Sequence, residues 1–203
     1  MTKLELADGV ILSMGYNSQD KKLDRRLVWF WADRIIPKLI DNIAKQEGIS
    51  AEDVSDNFVT IKEAQVKFSN KRKQYFADIP TPLMNIAGFS SVRQVGDIQD
   101  ETIAFVPVKS GQQAIISNLE VGGLGGRIGH RLEGSRIWFI NIPDGVYSNV
   151  LLKYLPTITG LKDEDQISIP SIIEMDLIMG IKQALQEQKL TPEDKTVNNA
   201  DNK

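Results

Sequence analysis

The chain has 203 residues, 41% hydrophobic and 25% charged, with a formal net charge of -3. Those proportions belong to a globular protein with a core of ordinary size, and they exclude a strong overall electrostatic grip on nucleic acid or on an anionic membrane. The absence of cysteine excludes disulfides, thiol catalysis and thiolate metal sites, and is compatible with a reducing cytosol.

The first residues, MTKLELADGVILSMG, lack the basic region and unbroken apolar run of a secretion signal, so none is expected. No stretch approaches the roughly 18 apolar residues of a membrane span. Thr2 and Glu5 have capping-box spacing, with Leu6, Val10 and Met14 following at helical intervals. This predicts a first helix over Lys3–Met14, stopped by Gly15. Asp20 is the expected N-cap of a long second helix containing Leu23–Ile43, with a kink near Pro37 and an end at Gly48.

That second helix carries apolar residues on two sides. At about 100° per residue, Val28, Ala32, Ile35, Ile36, Leu39, Ile40 and Ile43 share one broad face. Leu23, Leu27, Phe30 and Trp31 fall opposite, with Arg34 among them. A surface helix buries one stripe, so the second face needs a cover, either the chain's own strands or another copy of the chain.

Ser50–Asp53 can cap a further helical turn. After Asn57 the period changes to two, first with Val59 and Ile61, then with Ala64, Val66 and Phe68, as in half-buried strands. Ser69–Lys73 reads as an exposed turn, and Ile79–Pro82 as extended chain because each proline restricts its predecessor. Phe89–Val95 and Thr102–Val108 are strand candidates, while Gln112–Ile116 is compatible with a short helix. Arg127–Leu132 and Arg136–Ile142 flank Glu133-Gly134-Ser135, a hairpin pattern in which both faces of the second arm look covered. Val150–Leu155 is a partner strand. Pro170 opens a last helix, striped by Ile173, Leu177, Ile181 and Leu185 and running to about Gln188.

The fold class expected is α+β. Residues 1–56 and 160–188 form a helical bundle, 57–159 a mainly antiparallel β-module, and 189–203 a disordered polar tail.

A search for chemistry finds little. The run Gly122–Gly129 has Ile128 where a dinucleotide fingerprint needs glycine, and it lacks the Gly-Lys-Ser/Thr of a P-loop. His130 is the single histidine, so a transition-metal site would need carboxylates almost alone, and no nucleophile-elbow pattern accompanies it. Asp163, Glu164 and Asp165 lack EF-hand spacing and read as solvated loop charge near a helix N-terminus. Two basic groups stand out as DNA- or partner-facing candidates: Lys21, Lys22, Arg25 and Arg26, and separately Lys71, Arg72 and Lys73. Neither is interleaved with base-stacking aromatics. No catalytic residue, cofactor or metal ligand is expected, so the chain is read as a non-enzyme.

The short helix ending near a glycine, LDRRLVWFWADR, IPTPLMNIAGFSSVRQV, RLEGSRIWF and DQISIPSIIEMDLIMGIKQAL together resemble the head-to-tail adaptor, or ring, proteins of tailed bacteriophages. The nearest likeness is to ring proteins beneath the portal of crAss-like phages infecting gut Bacteroidales. The tail tubular A proteins of short-tailed phages share the same order of elements. The likeness spans about Lys3–Gln188 and rests on element order and loosely matching phrases rather than on a catalytic motif. It implies a structural virion protein, assembled in the host cytoplasm, forming a ring of about twelve copies around the DNA channel. One side of the ring would meet the portal and the other the next tail component. DNA would pass without sequence-specific binding. In such a ring Leu23, Leu27, Phe30 and Trp31 suit a subunit interface, since large aromatics dominate interface energetics. The alternative is a module holding a small ligand or glycan between the hairpin and the Gly-rich loop.

Overall fold

A computed structural model of the protein describes residues 1–15, 24–86, 88–109, 112 and 127–190. The first helix, α1, spans Lys3–Ser13 and is closed at its start by the expected capping box. The Glu5 amide donates to Thr2 Oγ1 at 3.1 Å, and the Thr2 amide donates to Glu5 Oε2 at 2.7 Å. Two further N-terminal amides, of Lys3 and Leu4, donate to the carbonyls of Asp165 and Asp163. The acidic loop therefore caps α1 through its backbone, which corrects its reading as loop charge serving the last helix.

Helix α2 spans Arg25–Glu47, with Asp24 as its N-cap accepting from the Arg26 amide at 2.9 Å. The start thus lies beyond Asp20, which is outside the described residues together with Leu23. The helix is continuous through Pro37 and ends at Gly48, whose φ of 68° is the left-handed value glycine tolerates. A short helix, α3 (Ala51–Ser55), is capped by Ser50 and leads through a 3-10 turn at Asp56–Phe58 into the strands. Helix α4 spans Ser171–Leu190, two residues past the expected end. The rest of the tail, 191–203, is outside the described residues.

The strands are β1 (Thr60–Ser69), β2 (Gln74–Asp78), β3 (Val92–Gly96), β4 (Val106–Pro107), β5 (Gly129–Glu133), β6 (Arg136–Ile140) and β7 (Asn149–Tyr154). They form a seven-stranded sheet in the order β3-β7-β1-β2-β6-β5-β4, antiparallel except for the β4–β5 pair. The α+β class follows directly. The hairpin turn between β5 and β6 is Gly134-Ser135, with Gly134 at φ 59° and Glu133 opposite Arg136.

The expected strand over Thr102–Val108 shrinks to β4, for a physical reason: this segment crosses from one sheet edge to the other. Asp97 N donates to Ile103 O and Phe105 N to Val95 O, tying the segment to β3. Val106 N then donates to Ile128 O and Val108 N to His130 O, tying it to β5. The sheet closes on itself, and closure removes the exposed edges of an open sheet. Gly96 sits at the crossing, where a Cβ would collide with the Ile103 carbonyl oxygen. The helix-compatible stretch Gln112–Ile116 lies outside the described residues, apart from Gln112.

Inward residues alternate as the pleat requires. Ala64, Ala77, Val95, Phe105, Ile137, Phe139, Val150, Leu152 and Tyr154 form one apolar core, its small alanines on adjacent strands leaving room for the aromatics. A second core joins Leu6, Val10, Val28, Ile36, Ile40, Leu177 and Ile181 of the helices to Leu155, Ile158, Leu161 and Ile167 after β7. Helix packing here is close: a Cβ on Gly180 of α4 would lie 3.3 Å from Ile35 of α2, and one on Gly9 of α1 3.4 Å from Ile178.

Candidate interaction surface

The inner face of α2 behaves as its pattern predicts: Val28, Ala32, Ile36 and Ile40 are buried, and Ile35, Leu39 and Ile43 pack against them. The outer face does not meet the sheet. Leu27 is 37% exposed and Phe30 41%, and neither belongs to either core. Trp31 is half-buried, packing on the helical core while its Nε1 donates to Gln188 Oε1 of α4 at 3.2 Å. Phe30 meets Trp31 edge-on at 5.6 Å between centroids, and the Arg34 guanidinium lies 3.9 Å from the Phe30 ring centre. A cation over an aromatic face is attracted by the ring quadrupole, so the three side chains form one ordered patch.

The helix that carries it is held by two charges the sequence did not advertise, one half-buried and one buried. Asp33, on α2, accepts from the Ile158 amide, from the Thr159 amide at 3.3 Å and from Thr159 Oγ1 at 2.7 Å. Burial pushes the Asp33 carboxyl above its ordinary value, and these hydrogen bonds pull in the opposite direction. Lys3 is 4% exposed, and its Nζ donates to Leu161 O at 2.6 Å, lies 3.6 Å from Asp163 and sits 3.9 Å from the Trp29 ring centre. Together they clamp α1 and α2 onto the chain leaving β7.

The basic candidates separate. Lys21 and Lys22 lie outside the described residues. Arg25 pairs with Asp8 at 2.9 Å, and Arg26 is exposed beside Leu27. Lys71, Arg72 and Lys73 form the β1–β2 turn, where Arg72 has a structural task. Lys67, Phe76, Trp138 and Arg131 make an outward row across β1, β2, β6 and β5. Trp138 is nevertheless only 5% exposed, because Arg72 lies 4.3 Å above its ring and Phe76 stacks beside it. Glu133 accepts from Arg72, and that pairing holds the Glu133 carboxyl below its usual value. This covers the outer face of β6, as its sequence implies.

His130 faces inward opposite Phe139 and is 7% exposed. Burial lowers its pKa to about 4, only partly offset by a hydrogen bond to the Phe105 backbone. Its Nδ1 has no partner among the described residues. It is a neutral core histidine. An open cleft of about 450 Å³ lies alongside, between Pro107–Lys109 and His130–Glu133. Of the Gly-rich run, Gly122–Gly126 is outside the described residues.

Among the described residues no group of three His, Asp or Glu side chains could hold a metal ion, and no helix is long and apolar enough to cross a membrane. Asp163 and Asp165 are engaged instead: Lys162 N donates to the Asp165 carboxylate at 2.9 Å, lowering its pKa, and Lys62 lies 3.5 Å away. Compared with known proteins, the chain matches no family model and no curated protein.

Proposed function

We propose that the chain is a non-enzymatic structural subunit of the connector between portal and tail in a tailed bacteriophage. It assembles into a ring of about twelve copies around the DNA channel, one side docking on the portal and the other on the next tail component. The observation that carries this reading is the outer face of α2. Leu27 and Phe30 stand exposed on a helix whose opposite face is buried, with Arg34 stacked over Phe30. An aromatic-arginine patch of this kind is the composition of an interface centre. The resemblance of the sequence to phage ring proteins supplies the partners, and the mixed surface charge suits a channel wall that lets DNA slide.

Electron microscopy of the chain mixed with a portal protein encoded in the same genome, with mass spectrometry of virions, tests this. Rings on the portal and the chain in virions are expected. A monomer that ignores its portal, together with absence from virions, refutes it. A second reading, a small-ligand or glycan module, is favoured by the cleft beside β5. It predicts a large rise in melting temperature with one member of a glycan or metabolite panel.

A further inference from the structure

The outer faces of α2 and α4 are unlike in a complementary way. On α2 the exposed residues Arg26, Leu27, Phe30, Arg34 and Lys38 set an apolar ridge among three cations. On α4, Met175 and Met179 stand one turn apart, 66% and 53% exposed, beside the exposed carboxylate of Asp176. Among the described residues no ion pair engages Arg26, Arg34, Lys38 or Asp176.

We propose that these faces are the two halves of one contact between copies of this chain: the α2 face of one copy seats Met175 and Met179 of the next, with Arg34 and Lys38 against Asp176. This rests on the reading of the chain as a ring subunit and names the surfaces by which each copy meets its neighbours. The fit has three physical parts. Residues three and four apart form ridges, and the Leu27–Phe30–Arg34 ridge can lie in the groove beside Met175–Met179. Methionine is unbranched and polarisable and packs well against an aromatic edge, which Phe30 offers. Opposite charge at the rim favours this pairing, whereas two α2 faces would repel one another. Because the halves differ, a docked pair still presents one unused half of each kind, one on each copy, so the contact propagates until it closes.

The chain has no cysteine, so single thiols can be placed without interference. Phe30→Cys and Met179→Cys variants are mixed and treated with a short bismaleimide, with Val146→Cys, at a 64% exposed position, as the collision control. The mixed pair should cross-link several-fold faster than either variant alone or either with the control, and the double variant should give a ladder of multiples. Arg34→Glu should abolish the cross-link, and adding Asp176→Arg should restore it. All these positions are exposed, and circular dichroism checks that each variant is folded. Equal rates in every mixture overturn the proposal. So does preferential linkage of Phe30→Cys to Val197→Cys within one copy, which assigns the α2 face to the chain's own C-terminal segment. Rings by sedimentation without the Phe30–Met179 link overturn this contact and leave the ring reading standing. The link closing at two copies supports the contact and removes the ring.

Discussion

The single histidine gives the sharpest test of the fold. His130 is held near a pKa of about 4 by burial, against 6.5 for the unperturbed group. A lowered histidine pKa means the folded state refuses a proton that the unfolded chain accepts. The stability this secures is complete above pH 6.5 and is lost as pH falls from there toward 4. At pH 5 the unfolded histidine is about 97% protonated and the folded one about 9%, so acidification from pH 7.5 costs about 2 kcal/mol through this residue alone. For a chain of this size that is a fall in Tm of about 4–8 °C. The measurement is urea and thermal unfolding at intervals from pH 7.5 to 5, comparing the wild type with His130→Gln, which keeps an N–H donor but does not titrate. Carboxylates contribute equally to both curves, so their difference isolates the histidine. If the two lose stability in parallel, His130 is solvated and the sheet does not bury it.

Three further outcomes probe the scaffold. Gly96→Ala forces a methyl into the Ile103 carbonyl where the sheet closes and should cost about 1–3 kcal/mol in denaturant unfolding, with hydrogen exchange rising first in β3 and residues 103–108. Arg72→Ala uncovers Trp138 and should cost about 1 kcal/mol while shifting tryptophan emission to the red. Asp33→Ala removes the acceptor for Ile158 N and Thr159 N and should cost about 1–3 kcal/mol, more than Asp33→Asn. Since burial raises the Asp33 pKa, its share of stability is full below the ordinary carboxylate range and is lost as pH rises through its folded value.

What the sequence made legible was local. The Thr2–Glu5 box, Gly48, the Gly134-Ser135 turn and the two-faced pattern of α2 all depend on residues within a few positions of one another. What it hid depends on distant partners. Nothing near Lys3 announces Leu161 as its acceptor, and nothing in Asp33 announces Thr159. Arg72 looked like part of a free basic turn because its use is a tryptophan on another strand. Asp163 and Asp165 were placed with the wrong helix for the same reason: charge near α4 in sequence is backbone over α1 in space. Thr102–Val108 alternates like a strand and does hydrogen-bond like one, but to different partners along its length, so only two residues remain in regular pairing.

The hidden contacts bear on the exposed face. A patch of mobile side chains loses about 0.5–1.5 kcal/mol per side chain when a partner immobilises it, which can cancel the gain from burying a phenylalanine. Here that cost is largely met beforehand. Arg34 is already stacked on Phe30, Phe30 is set against Trp31, and Trp31 is tied to Gln188. The helix beneath is braced against α4 at Ile35 and Gly180 and against the chain after β7 through Asp33. Releasing the brace while leaving the patch intact should therefore weaken self-association. Asp33→Asn should lower cross-linking of Phe30→Cys to Met179→Cys at a pH where the fold persists, although the hydrogen bonds of Asp33 go to Ile158 and Thr159 of its own chain and not to the contact residues. Unchanged cross-linking would mean that the face binds without help from its support, and that its affinity lies in the contact residues alone.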